Sequence, residues 1–173
     1  PSTGPAARWR DYSTMANVLL TPLKGTQRQY ALKDPGMVAA APALVDAADA
    51  ALDRLAQLES GSLRGQDTLA ASRTCLRMMR VVGLKLQALD EASRRYAEAT
   101  RGLAQSPDDP AKALRQAAEA LGALSAEYEG LSAGLRYAVE HWGASDEDLR
   151  AVDGQAAEVK DLVGKLGALA DDS

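Results

Sequence analysis

Three arginines spaced three or four residues apart are the first candidates for chemistry, because clustered guanidinium groups bind anions. They are Arg73, Arg77 and Arg80. An upstream segment carries three aspartates at a matching spacing: Asp46, Asp49 and Asp53. Pairing the two sets in opposite order along neighbouring helices joins Asp53 to Arg73, Asp49 to Arg77 and Asp46 to Arg80. The pattern favours a structural salt-bridge ladder over an anion-binding face. Each exposed pair contributes about 0.2–1 kcal/mol, so the ladder would act mainly on register.

Metal, redox and nucleophilic chemistry have little support among the residue types present. His141 is the only histidine and Cys75 the only cysteine, whereas zinc sites and di-iron bundles draw several ligands of these kinds. Cys75 lies in an apolar helical stretch, which predicts a buried, inert thiol. His141 is expected at a helix end, and Asp90 on the flank of an apolar seam. The sequence therefore predicts no catalytic residue, no cofactor and no metal site.

Four helix-sized segments must position these residues. Apolar residues recur in alternating steps of three and four, the pattern of helices that bury one seam against a neighbour. The predicted helices span residues 37–60, 66–104, 110–142 and 146–170. The clearest seam belongs to the third: Leu114, Ala117, Leu121, Leu124, Tyr128, Leu131, Leu135, Ala138 and Trp142. The chain also lacks Phe and Ile, which disfavours a sheet.

Short connections between these segments predict sequential helices that run antiparallel. In an antiparallel pair, facing residues have a constant sum of residue numbers. The apolar seams match at a sum of 127 for the first pair of helices, 217 for the second and 290 or 291 for the third. The sequence thus predicts an all-α fold in one domain, residues 1–173. We expect an antiparallel up-down-up-down four-helix bundle with left-handed crossings.

The N-terminal arm, residues 1–36, is expected to add a further helical segment. The second and third helices extend beyond the other two, and the arm offers apolar residues to cover their exposed tip. We therefore expect it to pack on this long hairpin. If the arm is instead free, the tip and the arm become the candidate partner surface: Trp9, Tyr12, Tyr96, Leu103 and Leu114.

Charge and hydropathy narrow the range of partners. The 173 residues carry a formal charge of -4, and the acids concentrate in residues 105–173. This balance argues against nucleic acid, which needs clustered Lys and Arg. The apolar runs look too short to span a membrane, so no transmembrane segment is expected. The chain opens on Pro1 rather than Met, so we expect that a targeting segment has been removed. A periplasmic or extracytoplasmic location is the corresponding expectation.

No motif in the sequence specifies a function. The lack of catalytic groups and the self-packed helices favour a non-enzymatic interaction or scaffold module that binds another protein. We expect this module to be part of a bacterial envelope-associated protein. Two alternatives are an extracytoplasmic small-molecule sensing bundle and a helical protein that binds a lipid surface. The sequence does not identify the partner or the oligomeric state.

Overall fold

The computed structural model describes residues 12–27, 34–61, 65–102, 108–143 and 145–172. Within these ranges the chain is all helical. Its six helices are α1 (Tyr12–Leu20), α2 (Leu23–Thr26), α3 (Pro35–Gly61), α4 (Gln66–Gly102), α5 (Asp108–Trp142) and α6 (Asp146–Asp171). The bounds of α3 to α6 agree with the four predicted helices to within two residues.

Local chemistry accounts for the ends of these helices. The Ser145 hydroxyl caps α6 by accepting a hydrogen bond from the Glu147 amide at 3.2 Å, and three acids occupy the first turn. Gly143 follows α5 with a φ of +65°, a conformation that glycine adopts without a steric penalty. The end of α5 and the start of α6 therefore fall where break and cap residues predict.

The long helices pack in chain order, α3 on α4, α4 on α5 and α5 on α6. The short N-terminal helices lie partly where predicted. α1 packs against α4 and α6, and α2 packs against α6. The described part of the arm therefore packs on α4 of the long hairpin, as expected, but its second main neighbour is α6 rather than α5.

Most predicted seam positions are buried. Leu121, Tyr128 and Leu131 of α5 have no exposed surface. Two seam predictions are wrong at the ends of helices, where neighbouring helices give less cover. Leu58 near the end of α3 is 62% exposed, and Tyr96 near the end of α4 is 50% exposed. Periodicity identifies the inward face of a helix but not how far along it a neighbour extends.

The register between α4 and α5 differs from the prediction. Thr74 lies beside Gly134, where an added Cβ would be 2.8 Å from the Thr74 Oγ1. Arg77 Nη1 donates a hydrogen bond of 3.0 Å to the Gly130 carbonyl oxygen. The residue numbers of these pairs add to 207 or 208, about ten below the predicted 217. A seam with a 3,4 repeat matches again after such a shift, so the pattern alone did not select the register.

Close packing of α3 on α4 depends on Gly83. A Cβ added there would lie 2.6 Å from the Val45 Cγ2 and 3.0 Å from the Ala41 carbonyl oxygen. The second of these atoms belongs to the backbone and cannot rotate away. Gly83 therefore sets how closely these two helices approach.

α3 is apolar over most of its length, and its outer side is largely uncovered, with Asp46 and Asp53 among the exposed residues there. By length and composition alone, Pro35–Glu59 is long and apolar enough to cross a membrane, with a mean hydropathy of 1.2 over its best window, of which 28% is buried. Core helices and signal sequences meet the same criterion. The expectation that the chain has no transmembrane segment therefore stays a prediction, and α3 is the one helix among the described residues that meets this criterion.

We predict that Gly83→Ala lowers the free energy of unfolding, because overpacking costs about 1–3 kcal/mol. This cost exceeds the gain of about 1 kcal/mol that alanine brings to a helix interior. The matched control is Gly122→Ala on α5, where an added Cβ meets nothing within 4 Å. It should raise stability in the same urea titration. Equal effects of the two substitutions would contradict the close approach at Gly83.

Candidate functional site

The most unusual group in the described part of the chain is a lysine in the core. Lys85 has no exposed surface. Its Nζ donates hydrogen bonds to three main-chain carbonyl oxygens, those of Val18 at 2.9 Å, Leu19 at 3.2 Å and Thr21 at 2.5 Å. A fourth acceptor is the Gln155 Oε1 at 3.1 Å. The lysine of α4 therefore joins the end of α1 to α6.

Two of the carbonyls that Lys85 contacts, those of Val18 and Leu19, lack their helical donors because a proline follows α1. In a continuous helix, the amide of residue 22 would bond the Val18 carbonyl, but Pro22 has no N–H. The Leu19 carbonyl would use the Leu23 amide, which instead donates to the Glu158 Oε2 at 3.1 Å. The last helical bond runs from the Thr21 amide to the Asn17 carbonyl at 2.9 Å. Lys85 thus replaces donors that the break removes, in the way that cations satisfy helix C-termini.

Other polar groups complete the cluster around this helix end. The Tyr128 hydroxyl of α5 lies 3.5 Å from the Leu19 carbonyl oxygen, and Lys85 Nζ lies 6.0 Å from the centre of the Tyr128 ring. Farther along the segment, Gln27 Nε2 donates to the Ser93 Oγ at 2.7 Å. α4, α5 and α6 therefore each contribute a polar contact to residues 12–27.

Burial governs the electrostatics of the cluster. Loss of hydration lowers the pKa of Lys85 to about 7, and the negative charge of Glu158 opposes this shift. Burial, followed by the charge of Glu158, raises the pKa of the Tyr128 hydroxyl. A buried lysine of lowered pKa is the kind of amine that forms Schiff bases. Here, however, acceptors of the chain itself surround the Nζ, so its evident role is to hold main-chain carbonyls.

The predicted ladder residues are brought together in part, with different pairings. Arg80 Nε lies 2.6 Å from the Asp49 Oδ1, and its Nη1 contacts Glu127 of α5. The hydrogen bond to Glu127 is the main cause that raises the pKa of Arg80. Arg73 pairs with Glu59 rather than with Asp53.

The remaining ladder residues do not form the predicted pairs. Arg77 bonds the Gly130 carbonyl of α5 instead of Asp49. Among the described side chains, Asp46 and Asp53 are exposed and have no salt-bridge partner. The arginine stripe therefore ties α4 to both α3 and α5, whereas the prediction linked it to α3 alone.

The structure describes two side chains of the candidate partner surface. Tyr96 is exposed, whereas Leu114 is buried with 6% of its surface exposed, as its place on the predicted seam requires. Trp9 and Leu103 lie outside the described residues, as does the side chain of Tyr12, whose backbone opens α1.

The predictions for the sole cysteine and the sole histidine differ in their outcome. Cys75 is exposed, so the prediction of a buried thiol is wrong. His141 lies near the end of α5, as predicted, with its ring stacked on Tyr137 at a centroid distance of 3.9 Å. Within the described residues, no cluster of three or more His, Cys, Asp or Glu side chains is arranged to hold a metal ion.

A groove of about 640 Å³ lies between α3, α4 and α5. Leu84, Ala88 and Leu124 provide apolar lining, and charged residues that include Arg80 and Arg94 lie beside them. Gln87 also lines the groove, and its buried Nε2 has no hydrogen-bond partner among the described residues. Ala39 and Pro42 extend this groove onto the outer side of α3.

The lysine cluster was missed by the sequence predictions, although two signals were present. Lys85 is a single charge among Val81, Val82, Leu86 and Leu89, which are all buried. Pro22 marks a helix break whose free carbonyls need donors. Neither signal identifies the other as its partner, because residues 22 and 85 are far apart in the chain.

Comparisons of the chain with protein-family models, with curated proteins and with solved structures find no match.

We predict that stability rises with pH between about 7 and about 10. Lys85 has a pKa of about 7 in the fold and about 10.4 when unfolded, so the unfolded chain binds more protons in this window. Below about pH 7 the lysine is charged in both states and its contribution is constant. Above about pH 10 the raised pKa of Tyr128 acts in the opposite direction, because the unfolded tyrosine ionises first.

Urea unfolding at several pH values measures this dependence. Lys85→Met should remove most of the rise between pH 7 and 10, whereas Lys112→Met, at an exposed position of α5, should preserve it. An identical pH profile for the two variants would show that Lys85 has an ordinary pKa in the fold.

Proposed function

We propose that the chain is a non-enzymatic helical-bundle interaction or scaffold module, whose binding surface is the outer side of α3. The four exposed alanines Ala39, Ala43, Ala47 and Ala50 define this surface, which we call the α3 outer face. They follow one another at helical spacing and therefore lie on one side of the helix. The observation that carries the proposal is the combination of high hydropathy and low burial along α3.

We also infer that α3 to α6 form an antiparallel up-down-up-down bundle. Support comes from the contacts, whose residue numbers fall on one helix as they rise on the next. Arg80 meets Glu127 and Thr74 meets Gly134 between α4 and α5. The short connections between these helices support the same arrangement. In such a bundle, the α3 outer face is directed away from the shared core.

The adjoining groove supports a protein partner. It offers apolar lining beside charged residues, the mixture found where a helix or loop of another protein docks. Binding to a lipid surface is the second candidate function, and the mean hydropathy of 1.2 along α3 favours it.

The test compares two double substitutions of equal charge in the full chain. Ala43→Glu with Ala50→Glu places two charges on the α3 outer face. Ala126→Glu with Ala133→Glu places two at exposed positions of α5 with the same spacing. Each substitution should change stability by no more than about 0.5 kcal/mol, because the sites are on the surface.

We expect the wild type and the α5 variant to capture the same protein from a lysate, identified by mass spectrometry, and the α3 variant to lose it. Capture that is equal for all three proteins would contradict the assignment of the surface. Co-sedimentation with phosphatidylcholine and phosphatidylglycerol vesicles, lost in the α3 variant alone, would favour the lipid surface instead.

A further inference from the structure

The hydrogen bonds that join residues 12–27 to the bundle mainly use main-chain groups of this segment. Val18, Leu19 and Thr21 contribute carbonyl oxygens to Lys85, and Leu23 contributes its amide to Glu158. Among the described residues, the Gln27–Ser93 bond is the one hydrogen bond from this segment to α4, α5 or α6 that uses a side chain of the segment. Polar recognition of this kind depends on backbone shape rather than on polar side chains of the ligand.

The backbone shape in question is a helix interrupted by proline. Pro22 removes the donor for the Val18 carbonyl, and the turn around it frees the Leu23 amide from the Leu19 carbonyl. An uninterrupted helix would pair these groups internally and would offer Lys85 and Glu158 nothing to bind. The two side chains therefore select a segment that ends one helix and begins another.

Apolar contacts give the segment its second means of attachment. Val18, Leu19 and Leu23 are each at most 3% exposed and belong to the same core cluster as Val82, Val152 and Val159 of the bundle. A ligand of the surface between α4 and α6 therefore needs two adjacent apolar residues before the break and one directly after the proline. Residues 12–27 are one contiguous stretch, so the same stretch of another copy presents the same features.

We propose that the surface between α4 and α6 is a binding site for a helix–proline–helix segment, and that residues 12–27 are a built-in ligand that the same segment of a second copy can replace. This site is separate from the α3 outer face, and neither proposal depends on the other. The natural segment has the advantage of covalent attachment, which gives it a high effective concentration. A free segment therefore competes well only when the built-in one is weakened.

The probe is a fluorescein-labelled synthetic peptide of residues 12–27, titrated against full-length chains by fluorescence anisotropy. Leu23→Asp in the chain weakens the built-in segment, because it places a carboxylate in a buried position whose own amide binds Glu158. The peptide should bind this chain at least about tenfold more tightly than the wild type. Circular dichroism checks that the variant keeps its helicity, and Leu23→Ala replaces it if the helicity falls.

Two controls test the chemistry of recognition. Adding Lys85→Met to the Leu23→Asp chain should weaken peptide binding by about tenfold or more, as expected for hydrogen bonds from a charged donor. Adding Lys112→Met should leave binding unchanged. A peptide with Pro22→Ala should also bind about tenfold more weakly, because its amide at position 22 can pair with the Val18 carbonyl.

The proposal is overturned if a helical Leu23 variant gives no saturable binding, if the two lysine variants bind equally well, or if the Pro22→Ala peptide binds as tightly as the natural one. Should both Leu23 variants lose helicity, the peptide is incubated with the wild-type chain at several millimolar, above the effective concentration of about 1 mM that tethering gives the built-in segment. Failure to displace the built-in segment there, measured as unchanged amide exchange of residues 12–20, overturns the proposal as well.

Discussion

A cation inside a protein core needs acceptors around it, and this requirement at Lys85 determines how the N-terminal segment attaches. The nearby side chains of α6 supply Gln155 and the more distant charge of Glu158, which leaves the nitrogen short of partners. The carbonyls at the end of α1 have the complementary shortage, because Pro22 provides no donor. Each deficiency is costly alone and satisfied by the other. The joining of α1 to α4 and α6 therefore follows from two local defects that cancel.

The sequence predicted the helices well because seam periodicity and end signals act locally. It did not predict the register of α4 on α5, since a seam with a 3,4 repeat fits its neighbour at several offsets. The helix ends of the structure, Gly102 and Asp108, add to 210, near the observed 207 or 208. The predicted ends, residues 104 and 110, add to 214, which is closer to 217. An error of two residues at each end was therefore enough to make the wrong register look compatible with the short connection.

The charged residues of the candidate ladder illustrate a second limit. Arg80 has Asp49 and Glu127 within reach, and Arg73 takes Glu59. Long side chains at the flank of a seam can choose among acids one turn apart, and exposed pairs differ by less than about 1 kcal/mol. Spacing therefore identified Arg73, Arg80 and Asp49 as participants. It did not identify Glu59 and Glu127, which form pairs that were not predicted. The buried cluster was harder still, because its two halves come from segments that share no pattern.

Helix geometry explains how α4 serves two different neighbours at one level of the fold. Gly83 faces α3, and Lys85, two residues later, faces α1 and α6. Two residues correspond to a rotation of about 200°, so the two side chains leave α4 in nearly opposite directions. The α3 contact and the N-terminal segment therefore do not compete for space on α4. Their common support is rigid, because close packing on one side and satisfied hydrogen bonds on the other both hold the same turn. That turn of α4 is therefore one physical connection between the α3 outer face and the α4/α6 surface.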